Sequence, residues 1–170
     1  MNRSSDNFYA EVLLKDIGAD RFGPAGDGST VDGRRAARAE LEEIGIDLQD
    51  LTWIDGSGLA YGNTVTARVV GHVLGMGAQT TWGEGWIESF ARSGMYGTLR
   101  KRMTRWPYRG RVAGKTGTLR HASGLAGFSE RLGSKHRYGF VVLTYNASGA
   151  GVPYRSARAL QDSVAKVLVK

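Results

Sequence analysis

The sequence predicts an α+β fold in which an antiparallel sheet is flanked by helices and adjoins a helical region. Apolar residues recur at helical spacing through most of residues 1–105, and the spacing changes to that of strands at Arg111. The connections between these strands are short, which makes neighbouring strands antiparallel. An amphipathic segment from Ser156 to Val169 predicts a last helix. We therefore expect one structural portion, with the helical region over residues 1–105 and the sheet and last helix over residues 106–170.

The first predicted helix runs from Phe8 to Ile17. It follows Ser5-Asp6-Asn7, a cluster of residue types that favours a helix N-cap. Gly18 is predicted to end the helix as a C-cap. The predicted buried face consists of four apolar residues at helical spacing: Phe8, Val12, Leu13 and Ile17.

A second helix is predicted to begin at a cap formed by Ser29 or Thr30, and Gly45 is predicted to stop it. Its charged residues suit a solvent-exposed face. Its predicted buried stripe is Ala37, Leu41 and Ile44.

Several shorter elements follow in the helical region. Residues 51–54 suit an extended piece, and Asp55-Gly56-Ser57-Gly58-Leu59 predicts a tight turn because two glycines flank the serine. Further helices are predicted from about Thr66, near residues 84–90 and at residues 98–103. We expect these three helices to be scaffold.

Three strands are predicted in the last part of the chain, at residues 111–119, 125–131 and 138–145. The last helix is predicted to bury five apolar residues against them: Ala157, Leu160, Val164, Val167 and Leu168.

The composition is basic and lacks cysteine, with a formal net charge of +7. Basic residues with interleaved aromatics, as between Arg100 and Arg111, are compatible with single-stranded nucleic acid. No nucleic-acid-binding motif accompanies them, so we interpret them as a solvated helix end and loop and expect no nucleic-acid partner. His72, His121 and His136 lack metal-ligand spacing, and we expect no metal and no cofactor.

Two interpretations compete for Ala113-Gly114-Lys115-Thr116-Gly117-Thr118-Leu119. Gly114-Lys115-Thr116 supplies the end of a phosphate-binding loop, but Arg109 stands where that pattern needs glycine, and no helical period follows. The other interpretation is the Lys-Thr-Gly element of active-serine penicillin-binding enzymes, which needs a Ser-x-Asn partner. Ser5-Asp6-Asn7 is such a partner. We therefore favour the second interpretation.

Three segments resemble the D-alanyl-D-alanine carboxypeptidase and endopeptidase group of low-molecular-mass penicillin-binding proteins, class C. They are Arg3-Ser4-Ser5-Asp6-Asn7, the turn at residues 55–59, and residues 114–119 with Leu125-Ala126-Gly127-Phe128 after them. The resemblance covers essentially the whole chain. It implies a β-lactamase/transpeptidase-like fold with helices on both faces of a five-stranded antiparallel sheet. Class A β-lactamases are less similar, because the chain has no Glu-x-x-Leu-Asn run.

The resemblance implies acyl transfer, in which a serine attacks the D-Ala-D-Ala amide and water hydrolyses the acyl-enzyme. It makes Ser5, Asn7 and Lys115 the expected catalytic residues. Ser5 would pass a proton to the leaving amine, and Asn7 would hold the substrate amide. Lys115 would steer the terminal carboxylate of the substrate with its positive charge.

Thr116, Gly117 and Thr118 are the residues that the resemblance implies for substrate binding. The two threonine hydroxyls would bind the carboxylate, and Gly117 would let the substrate backbone approach. The Thr118 backbone N–H would be one of two oxyanion donors. The implied partners are peptidoglycan stem peptides and β-lactams, which mimic the dipeptide.

The nucleophile of this family lies in a Ser-x-x-Lys motif that precedes Ser-Asp-Asn. The one such run in this chain is Ser163-Val164-Ala165-Lys166, in the last predicted helix, and we interpret Ser163 as an ordinary helical serine. We therefore expect no nucleophile in this chain. The resemblance then implies the C-terminal part of a longer enzyme, with the N-terminal part missing and another segment or chain supplying the nucleophile motif.

No apolar run is long enough to span a membrane, and no signal peptide follows Met1. Because the resemblance is to exported proteins, we expect the full-length protein in the periplasm or cell envelope. Two other hypotheses stay open. One is a non-catalytic module with a degenerate penicillin-binding fold that holds cell-wall peptides or a partner chain, and the other is a basic polyanion binder.

Overall fold

The computed structural model describes residues 1–146 and 151–170, which form two compact units. The first unit consists of Met1 and Asp6–Val73, and the second consists of Asn2–Ser5 and Leu74–Lys170. The second unit therefore includes a short segment from the beginning of the chain.

The first unit is helical. Its helices are α1 (Asn7–Phe22), α2 (Thr30–Glu43) and the first part of α3 (Ala67–Gln79). Both predicted N-caps are present. Asp6 Oδ1 accepts a hydrogen bond from the backbone N–H of Tyr9 at 3.1 Å, and Ser29 Oγ accepts one from Asp32 at 3.2 Å. These bonds satisfy N–H groups that the first turn of a helix leaves unpaired.

The prediction that Gly18 ends the first helix is wrong, because this glycine packs against α2. α1 continues to Phe22, and its C-cap is Gly23, with a φ of 53°. A Cβ on Gly18 would lie 2.5 Å from the backbone nitrogen of Gly33, and a Cβ on Gly33 would collide with the carbonyl oxygen of Leu14. The two glycines thus allow a close approach of α1 and α2.

The predicted buried face of α1 is also wrong. Phe8 is 73% exposed, and Leu13 and Ile17 are each 46% exposed, whereas the buried residues of α1 are Leu14 and Gly18. The reason is the glycine contact with α2. It fixes the side of α1 that faces α2, and this side is not the one with the most apolar side chains.

Gly33→Ala is expected to lower the free energy of unfolding by about 1–3 kcal/mol, because the added methyl group must push the two helix backbones apart. A matched control is Gly75→Ala in α3, where an added Cβ meets no atom within 4 Å. The control is expected to be neutral or to stabilise by up to about 1 kcal/mol, the helix propensity gain of alanine over glycine. Urea unfolding followed by circular dichroism measures both. Equal stability of Gly33→Ala and the wild type would contradict the close packing.

The end of α2 agrees with the prediction in part. Gly45 follows the helix with a φ of 85°, and Ala37 is buried as expected. Ile44, which was expected to be buried, is the C-cap and is 44% exposed. Residues after the turn supply the apolar cluster instead, and Leu41 packs against it. The buried members of this cluster are Ile46, Leu48 and Val69.

The second unit contains an antiparallel sheet in the order β1-β2-β3-β4. The strands are β1 (Ala91–Arg92), β2 (Val112–Thr118), β3 (Ala122–Glu130) and β4 (Arg137–Tyr145). This confirms the predicted antiparallel sheet and its three main strands. The sequence did not indicate β1, because two residues are too few to show a strand period. In the part of the chain that the structure describes, the sheet has these four strands.

α5 (Tyr154–Val169) packs against the sheet through a narrow strip of residues four positions apart. The strip is Ala157, Gln161, Ala165 and Val169, all at most 5% exposed. Of the five predicted core residues, Ala157 belongs to the strip, and Val164 and Leu168 are partly buried against the core. The prediction is wrong for Leu160, which is 50% exposed, and for Val167, which is 70% exposed. The small side chains of the two alanines explain this orientation, because they let the helix come close to the strands.

The remaining elements of the second unit are the end of α3, α4 (Gly83–Glu88) and a 3-10 turn at Gly97–Leu99. The α-helix predicted at residues 98–103 is wrong, and the 3-10 turn and irregular turns take its place. Leu99 and Met103 are nevertheless buried in the core of this unit. Their burial accounts for the apolar spacing that suggested a helix.

Candidate active site

The second unit brings Ser5 and Lys115 together. Ser5 Oγ accepts a hydrogen bond from Lys115 Nζ at 2.6 Å, although 110 positions separate the two residues. Ser5 has a φ of 59°, a left-handed conformation that costs a non-glycine residue on the order of 1–3 kcal/mol. Such a conformation persists only where the surrounding contacts fix it, and it is most frequent at functional sites.

The Lys115 ammonium group is partly buried and bonds neutral oxygens. Besides Ser5 Oγ, it donates to the carbonyl oxygen of Thr116 at 2.7 Å. Burial lowers the pKa of Lys115 below its ordinary value of 10.5. No acidic side chain in the described part of the chain forms an ion pair with it. A cation in this environment favours an anionic ligand, because an opposite charge would offset the cost of its desolvation.

The strand that carries Lys115 has an open edge at its C-terminal end. On the side of β3, the Arg111 carbonyl oxygen accepts from the Glu130 N–H, and the Leu119 N–H donates to the Ala122 carbonyl oxygen. On the opposite side, the Val112 carbonyl oxygen accepts from the Ser93 N–H. By this alternation, the backbone groups of Thr116 and Thr118 point away from β3. β1 pairs with β2 at Ala113 and Gly114, and within residues 1–146 and 151–170 no strand covers this edge beyond them.

Gly117 is a glycine that packing within residues 1–146 and 151–170 does not require. Its backbone lies outside the left-handed region, the residue is exposed, and a Cβ built on it meets no described atom within 4 Å. By contrast, a Cβ on Gly127 of β3 would collide with the Ala113 carbonyl oxygen on β2. Gly117 therefore leaves free space beside the open edge of β2, which a ligand that lies along this edge with its peptide backbone would need.

The segment Asn2–Ser5, here called the serine arm, is held on the second unit at several points. The Arg3 carbonyl oxygen accepts from the Thr98 N–H at 3.1 Å, and Arg3 Nη2 donates to the Glu88 carbonyl oxygen at 2.9 Å. The Arg3 guanidinium carbon also lies 4.8 Å from the centre of the Tyr96 ring. These contacts fix the backbone that places the Ser5 hydroxyl.

Thr98, which no sequence motif indicates, also contacts the strand of Lys115. Thr116 Oγ1 and Thr98 Oγ1 are 2.9 Å apart and form a hydrogen bond. Thr98 stands in the 3-10 turn at Gly97–Leu99, which was expected to be part of a scaffold helix. No local sequence signal identified it, because its partners are distant in the chain.

Asn7 is the first residue of α1 in the first unit, and it is exposed. The predicted turn at residues 55–59 packs against the same helix. The Glu11 carboxylate accepts hydrogen bonds from the backbone N–H groups of Gly56 and Ser57 at 3.0 and 2.9 Å. Hydrogen bonds, above all from the Ser57 side chain, hold the pKa of Glu11 below its ordinary value. In this unit the turn thus fixes the N-terminal half of α1, which begins with Asn7.

The same turn is closed by its own aspartate. The Asp55 carboxylate accepts hydrogen bonds from the backbone N–H groups of Gly58 and Ala60 at 2.8 and 2.7 Å. It also accepts one from Asn63 Nδ2 at 2.9 Å. Burial opposes ionisation here, but these bonds outweigh it and hold the pKa of Asp55 below its ordinary value. This confirms the tight turn that the sequence predicts.

Two further predicted features have structural explanations. Ser163 is exposed and donates a hydrogen bond to the Ala159 carbonyl oxygen at 2.8 Å, within its own helix.

The interpretation of the basic patch as solvated is wrong for Arg102, which is 6% exposed and paired with Asp162 at 2.7 Å. Trp106 in the same patch is 79% exposed.

The described residues contain no group of three or more histidine, aspartate or glutamate side chains that could hold a metal ion. None of the helices in the described ranges combines the length and the apolar character that a membrane span needs.

Similarity to solved structures defines the class of this fold. Penicillin binding protein 4 (dacB) from Haemophilus influenzae, complexed with a β-lactam, matches with a TM-score of 0.85 at 24% identity. The match covers 100% of this chain and 40% of that one. A predatory peptidoglycan endopeptidase from Bdellovibrio bacteriovorus matches with a TM-score of 0.71 at 19% identity, over 99% of this chain and 41% of the other. The fold is thus that of penicillin-binding peptidases, as the sequence predicts.

The family follows from the sequence match. The model of the D-Ala-D-Ala carboxypeptidase 3 (S13) family matches residues 1–166, and the chain belongs to this family. A D-alanyl-D-alanine carboxypeptidase from Actinomadura sp. (strain R39) is 33% identical over 166 residues, which are 95% of this chain and 29% of the relative. The chain therefore spans less than half the length of the relatives that it matches.

Proposed function

We propose that this chain is the substrate-binding part of a serine-type D-Ala-D-Ala carboxypeptidase or endopeptidase that acts on peptidoglycan peptides. The observation that supports the proposal most strongly is the 2.6 Å contact of Ser5 Oγ with Lys115 Nζ beside an open strand edge. It joins the two motifs that active-serine penicillin-binding enzymes use together.

In the proposed complex the substrate lies along the open edge of β2. Lys115 and the hydroxyls of Thr116 and Thr118 bind the terminal carboxylate of the D-Ala-D-Ala peptide. Gly117 leaves room for the substrate backbone. The Thr118 N–H, which points toward this edge by strand alternation, serves as an oxyanion donor.

Ser5 and Asn7 complete the proposed set of catalytic residues with Lys115. The Ser5 hydroxyl, hydrogen-bonded to a cation of lowered pKa, passes a proton to the leaving amine. Asn7 holds the substrate amide. Its backbone stands at the start of α1, a helix that the contacts of Glu11 with the turn at residues 55–59 hold in place.

The proposal places the nucleophile on a segment or chain other than these 170 residues. Ser163 is not a candidate, since its hydroxyl bonds its own helix and its side chain is exposed on α5. We therefore propose that residues 1–170 form a C-terminal portion of a transpeptidase-like domain. The full-length protein would act outside the cytoplasm, where peptidoglycan stem peptides and β-lactams are met.

Fluorescent penicillin tests this proposal on the 170-residue protein. We expect no label that survives denaturing electrophoresis, because the acylated serine is supplied from elsewhere. We expect reversible binding, seen as a penicillin-dependent rise in melting temperature, and a weaker rise with the penicillin methyl ester, which lacks the carboxylate.

Three results would contradict the proposal in different ways. A covalent label that persists in Ser163→Ala would show that the chain contains its own nucleophile. A label that disappears in Ser163→Ala would make Ser163 that nucleophile. Equal stabilisation by penicillin and its methyl ester would argue against carboxylate recognition by Lys115.

A further inference from the structure

Thr98 is the residue through which the serine arm and the strand of Lys115 are both held. Its backbone N–H donates to the Arg3 carbonyl oxygen at 3.1 Å, two positions before Ser5. Its Oγ1 is 2.9 Å from Oγ1 of Thr116, the residue after Lys115. Thr98 therefore forms hydrogen bonds both with the segment that carries Ser5 and with the strand that carries Lys115.

The backbone of Thr98 is well fixed. The next residue, Leu99, is fully buried in the core of the second unit. The preceding residue, Gly97, has a φ of 67°, and a Cβ on it would lie 2.5 Å from the Arg3 carbonyl oxygen and 2.7 Å from Ala91 Cβ. Glycine at this position lets the serine arm approach the turn closely enough for the Thr98 N–H to reach it.

The Thr98–Thr116 hydrogen bond bears on what the Thr116 hydroxyl can do. A hydroxyl group has one hydrogen to donate and two lone pairs to accept with. If Thr116 is to donate its one hydrogen to a carboxylate, it can keep its hydrogen bond with Thr98 only as the acceptor. In the structure Thr116 Oγ1 donates to Thr98 Oγ1 at 2.9 Å. When a carboxylate accepts the Thr116 hydrogen, the Thr98 hydroxyl can turn and donate to Thr116 Oγ1 over the same distance, so the Thr116 oxygen keeps a hydrogen bond.

We propose that Thr98 is a positioning residue of this site. When a ligand binds, its hydroxyl donates to Thr116 Oγ1 and leaves the Thr116 hydrogen to the carboxylate of the ligand, and its N–H holds the serine arm. The proposal rests on the proposed function, since it assigns Thr98 a part in carboxylate recognition at that same site.

Thr98→Val tests the hydroxyl, because valine keeps the shape and the backbone N–H. The ligands are a matched pair, a peptide that ends in D-Ala-D-Ala with a free carboxylate and the same peptide as its C-terminal amide. We expect the affinity for the acid to fall by about three- to tenfold, the usual effect of one lost hydrogen bond, with little change for the amide. Thr98→Ser restores the hydroxyl and is expected to restore the wild-type ratio of the two affinities.

Two further variants keep the test decisive. Thr98→Ala removes the same hydroxyl and is expected to give the same loss if valine disturbs folding. Thr80→Val is the matched control, since Thr80 Oγ1 donates to the Gly77 carbonyl oxygen at 2.8 Å in the same unit, a bond that involves neither Lys115 nor Thr116. It is expected to leave the acid-to-amide ratio unchanged.

Isothermal titration calorimetry separates failure of this inference from failure of the proposed function. If the wild type prefers the acid and Thr98→Val keeps that preference, or weakens both peptides equally, the positioning role is overturned and the proposed function stands. If the wild type binds acid and amide equally, the proposed function is overturned and the positioning role with it.

Discussion

Replacing Lys115 by methionine is expected to weaken binding of a D-Ala-D-Ala peptide by about 10- to 100-fold, because hydrogen bonds to charged groups contribute on the order of 1.5–3 kcal/mol. Methionine keeps most of the buried volume of lysine but removes the cation that bonds Ser5 Oγ and the Thr116 carbonyl oxygen. Calorimetric titration of the wild type and the variant measures the difference.

The control for Lys115→Met is Lys101→Met, which removes the same charge at an exposed position. It is expected to leave peptide affinity nearly unchanged, since an exposed charge is screened by salt and water. If both variants weaken binding equally, the effect comes from the net charge of the protein, and Lys115 has no specific part in recognition.

The pH dependence of binding follows from the lowered pKa of Lys115. Only the protonated ammonium group attracts a carboxylate, so affinity is expected to fall as the pH rises through this pKa, below the ordinary value of 10.5. Stability should change in the opposite direction. Burial disfavours the charged form in the fold, so the contribution of Lys115 to the free energy of unfolding increases between the lowered pKa and 10.5. Measuring peptide affinity and the free energy of unfolding at several values between about pH 7 and about pH 10 tests whether the first falls while the second rises.

Arg102→Met is expected to destabilise the protein by about 3–5 kcal/mol, because it leaves a partly buried carboxylate without its partner. Arg102 Nε and Nη2 donate to Asp162 Oδ1 at 2.9 and 2.7 Å, and Nη2 donates to Gln161 Oε1 at 3.1 Å. Gln161 Nε2 in turn donates to Ser123 Oγ at 3.0 Å. The variant would leave acceptors of both Asp162 and Gln161 unpaired.

Unfolding in urea measures this effect, and two further variants interpret it. Arg100→Met changes an exposed arginine in the same segment and is expected to stay within about 0.5 kcal/mol of the wild type. Adding Asp162→Leu to Arg102→Met removes the unpaired carboxylate and is expected to recover part of the stability. If Arg102→Met unfolds at the same urea concentration as Arg100→Met, the buried ion pair does not contribute to stability.

The hydrogen-bond network of Arg102 also reaches the candidate site. Ser123 is the cross-strand partner of Thr118, and the pair next to them is Gly117 and Gly124. Two facing glycines provide no side-chain contact across the strands. The position of this end of β2 therefore depends on anchors such as the Gln161–Ser123 bond, and Arg102→Met is expected to disturb the site as well as the core.

The sequence was a good guide where a local pattern determines structure. The three main strands, the caps at Asp6 and Ser29 and the turn that begins at Asp55 follow from short-range patterns, and the structure confirms them. It was a poor guide to which helix face is buried. Gly18 and Gln161 were overlooked as packing residues because an apolar count gives no weight to glycine or glutamine.

In the candidate site too, residues that lie in a sequence motif could be predicted, whereas residues defined only by contacts with distant parts of the chain could not. Ser5 and Lys115 were found because each lies in a recognisable motif, and the structure places them in contact. The roles of Ser5, Asn7, Lys115, Thr116, Gly117 and Thr118 stay predictions. Thr98 and Glu11 could not be found from the sequence, because their partners lie far away in the chain and no motif surrounds them.

The most direct test of this account is to titrate the wild-type protein with the D-Ala-D-Ala peptide as its free acid and as its C-terminal amide. The central claim is that Lys115, beside Ser5 and the open edge of β2, recognises a terminal carboxylate. It predicts that the acid binds at least about tenfold more tightly, because the amide offers no charge to the ammonium group. Equal affinities for the two peptides would contradict it.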